Sequence, residues 1–289
     1  ITGQVTAAKN IYKCVKRAGL TTEGLFLEPL ASSEAVLTEE EKEAGVVLVD
    51  IGGGTTDIAI FQDGVIRHTA VIPFGGNVIT EDIKEGCAIL KNQAELLKVK
   101  FGSALADKNQ ENEIVSIPGL RGREPKEISL KNLASIIQAR MEEIIELVYQ
   151  EIRSSGYEKK LIGGIVITGG GAQLKHIVQL VEYLTGMDTR IGYPNEHLAK
   201  GADELKSPMY ATGVGLVIKG FHELERKRQS QLATQQTVTE TGARNMAGKS
   251  AKEDKARVAQ PTEDNNKRGF IKFILEKIFD EDDSDQPLT

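Results

Sequence analysis

Asp50-Ile51-Gly52-Gly53-Gly54-Thr55-Thr56-Asp57 (DIGGGTTD) sets three glycines between two aspartates, directly after the apolar run GVVLVDI. Residues 46–51 are rich in β-branched side chains, the pattern of a strand buried on both faces. After the glycines, TDIAIFQDG alternates again and reads as a second strand. Asp63-Gly64 is a strong hairpin signal, and VIRHTAVIP is the third strand. The result is an antiparallel meander with the glycines in its first turn. Glycine tolerates positive φ, so three of them alone serve a tight turn as well as a binding site. Two familiar phosphate motifs are excluded. A P-loop needs Gly-Lys-Ser/Thr entering a helix, and GxGxxG also opens a helix, whereas here a strand follows. What remains is a strand–turn–strand phosphate clamp. In that reading the backbone N–H groups of Gly52, Gly53, Gly54, Thr55 and Thr56 line one concavity suited to phosphate oxygens. Asp50 holds waters of a magnesium ion, which keeps several of them. Asp57 faces the same mouth if the turn is tight.

A second glycine run, IVITGGG at 165–171, ends another buried strand. Its plain reading is a tight strand-to-helix turn. Bare backbone at Gly169, Gly170 and Gly171 also accommodates a nucleoside. Between the two runs, AELLK puts Glu95 and Lys98 three apart on one helix face. Such pairs usually decorate a solvated surface, but in this company they suit a ribose and a purine.

The flanking elements follow from periodicity. TAAKNIYKCVKRAGL is a helix stopped by Gly19, GLFLEPL a short strand, and ASSEAVLTEEEKEAG a capped acidic helix ended by Gly45. FGGNVITEDIKEGCAI is a helix capped by Thr80, with Glu81 and Asp82 in its first turn. NQAELLKVKFGSA is another helix, and residues 109–130 are two short strands around PGLRGREP. A long helix follows, with Leu133, Ile136, Ile137, Met141, Ile144, Ile145 and Val148 on one face. AQLKHIVQLVEYLTG is a helix, DTRIGYP a short strand, and PMYATGVGLVIKGFHEL the last globular helix. From 223 to 266 apolar periodicity is lost, and the composition is that of a disordered linker reaching about 35 Å on average.

In GFIKFILEKIFDED, Phe270, Ile271, Ile274, Leu275 and Ile278 share one helical arc, flanked by Phe273 and Phe279. An amphipathic helix docked on the domain is the ordinary reading, and a linker of that length weakens it. A membrane interface covers such a patch, with Phe270, Ile271, Phe273, Ile274, Leu275, Lys277, Ile278 and Phe279 at the contact. Lys267, Arg268 and Lys272 then meet anionic headgroups. The acidic run DEDDSD points back to the cytosol. A partner groove is the alternative.

Composition limits the rest. A formal net charge of −6 argues against a general nucleic-acid binder. Two distant cysteines, Cys14 and Cys87, have no metal spacing and fit a reducing compartment. The four histidines form no ligand pattern. No apolar run approaches the ~18 residues of a spanning helix.

DIGGGTTD, AELLKVKFG and IVITGGGAQL, in this order, resemble the actin-like ATPase superfamily. EPLASSEAVLTEEEKEAGVVLVDIGGGTTDIAIF with VIPFGGNVITEDIK is similar, more narrowly, to the bacterial cell-division FtsA family, and the likeness runs from residue 1 to about 221. The resemblance implies an α/β, actin-like (ribonuclease-H-like) ATPase fold. Asp50 through Asp57 become its second phosphate hairpin, Glu95 and Lys98 the adenosine-contacting helix, and Gly169–Gly171 the adenosine loop. ATP or ADP with Mg2+ are the implied cofactors.

The implied partners are the C-terminal tail of the tubulin-like protein FtsZ, further copies of the chain, and the inner face of the cytoplasmic membrane at the division site. The implied partition is a remnant helix (1–19), a second actin-like core (20–75 and 161–205), an inserted FtsZ-binding subdomain (76–160), a returning helix (206–222), the linker (223–266), a membrane helix (267–280) and an acidic tail (281–289). The first phosphate hairpin of the superfamily, D-x-G-[TS], does not precede residue 50, and the chain starts at Ile1 inside a helical pattern. The expectation is the second half of such a protein, acting as an adaptor and not as a turnover enzyme. A kinase or ATPase of the same fold, or a pilus- or shape-associated actin homologue, are the rival expectations.

Overall fold

The computed structural model describes residues 4–110, 113–119, 124–194, 198–199 and 201–247. Residues 1–228 form one compact unit; the described part of the second unit, 229–289, is helical through Ala247. β1 (Val46–Ile51), β2 (Thr56–Gln62) and β3 (Val65–Ile72) form the expected antiparallel meander. β6 (Ile165–Thr168) runs parallel to β1, and β7 (Thr189–Ile191) parallel to β6, giving a five-stranded mixed sheet in the order β3-β2-β1-β6-β7. Asp63 and Gly64 both take positive φ, the turn whose twist matches a hairpin.

Side chains of β1 alternate between two cores. Val47, Val49 and Ile51 join Ile58, Ile60 and Ile167 on the face packed with α4 (Gly76–Gly86), α6 (Leu130–Ser154) and α7 (Ile177–Thr185). Val46 and Leu48 join Ala59, Phe61 and Val166 on the opposite face, with α2 (Glu28–Val36) and the first residue of α8 (Ala211–Ala247). The two-residue period therefore turns Asp50 toward α2 and α8. Asp57, paired with Asp50 across the ladder, points the same way.

The segment between β3 and β6 contains α4, α5 (Lys91–Phe101), a two-stranded sheet of β4 (Ile114–Ile117) and β5 (Lys126–Ser129), and α6. On α6 the expected face is buried at Leu133, Ile137, Met141, Ile144, Ile145 and Val148, with Ile136 half-buried. Arg140 of α6 grips Asp82 of α4 through two nitrogens.

Several boundaries differ from the sequence expectation. Residues 20–27 form no strand, because among the described residues no strand edge pairs with them; α2 starts at Glu28 with Pro29 in its first turn. The single acidic helix is two, separated at Leu37–Thr38. There Thr38 accepts from the Glu41 N–H (3.3 Å) and donates its own N–H to Glu41 Oε2 (2.9 Å), a capping box that opens α3 (Glu39–Ala44). Arg190 of β7 forks onto both Glu41 oxygens and also donates to the Val36 carbonyl, fastening these helices to the sheet edge. Helix α4 is capped at Gly75, so Thr80 is not its cap but a buried residue of the second turn. After the second glycine run, a 3-10 turn (Gly170–Gln173) precedes α7, which begins only at Ile177.

Residues 223–247 of the expected linker continue α8. This stretch is rich in Glu, Arg, Lys, Gln and Ala, all strong helix formers, and has no proline, so it needs no apolar face to stay helical in pattern. Residues 248–266, the segment 267–280 and the acidic tail lie outside the described residues. Among the described residues no helix is long and apolar enough to cross a membrane.

Candidate functional site

The two glycine runs meet at the carboxyl ends of β1 and β6, where open α/β sheets place ligands. Asp50 and Thr168 pair across these parallel strands. Gly52 donates its N–H to Thr55 O (2.9 Å), closing the turn of the hairpin. Thr56 already belongs to β2; it is buried, and its hydroxyl donates to Phe74 O (2.8 Å). Gly53, Gly54 and Thr55 are exposed, and their N–H groups donate to no carbonyl among the described residues. Of the five amides expected in the concavity, these three are the ones left for a ligand.

Carboxylates gather around this turn. The Asp50 carboxylate is buried and accepts from the hydroxyls of Ser32 (2.8 Å) and Thr212 (3.4 Å). Asp57 accepts from Thr55 (3.0 Å). Burial pushes the Asp50 carboxyl above its usual range; the Ser32 and Thr212 hydrogen bonds oppose that, and the facing charge of Asp57 adds to it. Burial also raises Asp57. Glu28, at the start of α2, is raised by burial and by the charges of Asp57 and Asp50. Like charges facing each other across a ladder are destabilising, so the arrangement favours a bound cation or proton. Among the described residues no group of three acidic, histidine or cysteine side chains gathers closely enough to cage an ion directly.

Glu95 and Lys98 sit on α5 and bond to each other (2.8 Å). Lys98 also donates to Gly76 O (2.8 Å) and Thr80 Oγ1 (2.8 Å), and Thr80 lies 2.5 Å from Glu95 Oε2. Burial works to raise the Glu95 carboxyl; hydrogen bonds from Lys98 and Thr80, with the nearby lysine charges, outweigh it and hold the pKa low.

In the second run, Gly169 takes φ +82°, and a Cβ there would lie 2.4 Å from Asp50 Oδ1. A Cβ on Gly171 would lie 2.3 Å from Ile51 Cγ2. Gly170 alone meets nothing. The loop is stitched to the end of α5, where Lys175 donates to Gly102 O (3.3 Å) and Ala104 to Lys175 O (2.8 Å). Thus Asp50, the hairpin, the Gly169–Gly171 loop and the Glu95–Lys98 pair all flank one end of the sheet. Sequence reading does not reach Glu28, Ser32 or Thr212: EPLASS marks a proline-started helix, but nothing local points it, or Thr212 of α8, at Asp50.

The family of cell division protein FtsA matches residues 47–215. The chain belongs to the FtsA family. It is 45% identical over 224 residues to the cell division protein FtsA of Pseudomonas aeruginosa, covering 77% of this chain and 53% of that one. With FtsA of Escherichia coli K12 it shares 41% identity over 220 residues, covering 74% and 52%. The chain therefore spans about half the length of the curated FtsA proteins it matches. Among solved structures it is similar to MreB5 of Spiroplasma citri bound to ADP, with a TM-score of 0.61 at 21% identity, over 79% of this chain and 68% of that one. The PilM–PilN type IV pilus biogenesis complex gives 0.58 at 19% identity, over 74% and 57%. These likenesses carry the fold, and the FtsA-family chain is an actin-like α/β protein with a mixed sheet.

Proposed function

We propose that this chain is the ATP-binding and partner-docking part of an FtsA-type adaptor, which anchors FtsZ filaments of the Z ring to the inner face of the cytoplasmic membrane. The observation that carries this reading is the hairpin with free amides at Gly53, Gly54 and Thr55 beside a buried aspartate, in a chain 45% identical to an FtsA. ATP or ADP lays its phosphates against those amides, with the nucleoside between α5 and the Gly169–Gly171 loop. A solved actin-like neighbour bound to ADP supports the assignment. Magnesium fits the residues present. Asp50 and Asp57 face each other as repelling carboxylates with no direct cage around them, a donor set that suits an ion keeping its own waters. Bound there, it would neutralise phosphate charge.

Nucleotide acts here as a structural ligand that closes the cleft and biases self-association, with at most weak hydrolysis. The inserted segment, 76–160, docks the FtsZ C-terminal tail. Residues 267–280 supply the peripheral membrane contact at the division site. Liposome flotation of the chain with and without residues 267–280 tests the anchor, with loss of binding to anionic vesicles expected on removal. Unchanged flotation would sink it. Binding of ATP or ADP to this chain is expected to depend on the exposed hairpin amides and to weaken in Gly54→Ala. Isothermal titration checks this. Steady ATP turnover coupled to a small-molecule acceptor would replace the adaptor with an enzyme.

A further inference from the structure

We infer that Thr80 is a positioning residue that sets the aim of the phosphate-facing amides, by locking the first turn of α4 to the Glu95–Lys98 pair. The ligand class, a nucleoside phosphate, rests on the function proposed above; the positioning itself does not.

Thr80 is 1% exposed, so its mid-helix hydroxyl must be satisfied by protein partners. Its Oγ1 lies 2.8 Å from Lys98 Nζ, 2.5 Å from Glu95 Oε2 and 3.0 Å from Gly76 O. A hydroxyl has one proton to give, and a lysine ammonium has three. The three Lys98 protons are matched by Gly76 O, Thr80 Oγ1 and Glu95 Oε2. Thr80 accepts from Lys98 and donates its hydroxyl to Glu95 Oε2, closing a ring of charge-assisted bonds. Lys98, 13% exposed, is thus fully engaged inward, while the half-exposed Glu95 retains Oε1 for a ligand.

Gly76 belongs to this ring and to the hairpin at once. Its carbonyl accepts from Lys98, and its N–H donates to Gly52 O (2.9 Å). The next N–H, of Asn77, donates to Gly53 O (2.8 Å). A Cβ on Gly75 would stand 2.6 Å from Gly52 O, so only glycine lets α4 come this close. In a trans peptide the carbonyl and the following N–H point in opposite directions. Holding Gly52 O and Gly53 O against α4 therefore turns the N–H groups of Gly53 and Gly54 outward, toward the ligand side. A contact made at Glu95 is felt at the phosphate amides through three consecutive bonds.

Amide hydrogen exchange on the whole chain tests this without ligand. Thr80→Val keeps the shape and removes the hydroxyl; Thr80→Ser restores it. The Val variant is expected to speed exchange at Gly76 and Asn77 by about tenfold, the scale of one buried hydrogen bond, with β1 and β6 amides unchanged and the Ser variant near wild type. Rates at Gly76 and Asn77 unaltered in the Val variant, equal in Val and Ser, or raised equally throughout the sheet would each overturn the inference. A second arm titrates ADP and adenosine. Thr80→Val should weaken ADP by about tenfold and adenosine by less than about twofold, and equal losses for both would also overturn it. If ADP protects no wild-type amide, the nucleotide reading fails, and the ligand-free arm still decides the role of Thr80.

Discussion

The two glycine runs look alike in sequence and differ in what the glycines are for. In the hairpin, Gly54 has open space where a side chain would go, and Gly53 would meet only the Asn77 side chain at 3.6 Å. Their value is a bare, accessible N–H. In the second run, Gly169 and Gly171 are forced by packing, because β6 passes so close to the end of β1 that a Cβ would enter Asp50 or Ile51. One run leaves its amides open to the outside; the other keeps glycine for what touches it inside the fold. A glycine motif is evidence for a ligand only where the missing side chain leaves room outside and not merely inside.

Substitutions separate the two cases. Gly169→Ala combines a positive φ with a 2.4 Å clash and should cost about 3 kcal/mol or more in a urea titration. A loss below about 1 kcal/mol would mean that β1 and β6 yield more easily than their packing implies. Gly171→Ala should cost somewhat less, about 1–3 kcal/mol, since the Ile51 side chain has some freedom to turn.

Asp50→Asn should go the other way and stabilise the ligand-free chain by about 1 kcal/mol, read as a melting temperature about 2–4 °C higher. The folded pKa of Asp50 lies above its ordinary value, so the folded state prefers the proton. The stability associated with that proton is present below the ordinary carboxylate pKa and is lost as pH rises through the raised one. The gap between Asp50→Asn and wild type should therefore be widest at neutral pH and close as the pH falls. A gap that widens on acidification would show that Asp50 is stabilising as an anion.

Gly54→Ala is expected to have the smallest effect on stability, within about 0.5 kcal/mol of wild type, while weakening ATP or ADP. Loss of folding in Gly54→Ala, or full nucleotide affinity in it, would erase the distinction between the two runs.

How much of this was legible in the chain depended on how local the cause was. VVLVDI, Asp63-Gly64 and the apolar face of α6 each carry their structure in adjacent residues, and all three elements stand where expected. The register that turns Asp50 and Asp57 to one side follows from the same alternation. The capping box at Thr38 was present as T-x-x-E but lay inside what read as one continuous acidic helix. The Asp50 shell was not legible: Ser32 and Thr212 come from 18 residues before and 162 residues after it, and only the fold brings them together. In the sequence Thr80 reads as a helix-start signal. Gly75 supplies the cap instead, and the Thr80 hydroxyl is turned to α5.

The fork between Arg190 and Glu41 has a consequence at the margin of the sheet. Strand β7 is only three residues long, and its edge offers unpaired backbone to any extended segment nearby. An arginine in the middle of that strand, spent on a helix cap 149 residues away, ties the edge to Glu41 of α3 and to the Val36 carbonyl of α2. The far margin, β3, is long, and there Arg67 is drawn back onto Gln62 O and Asp63. Both rims are thus guarded by charged side chains, which discourages cross-β stacking between molecules crowded together at high local concentration.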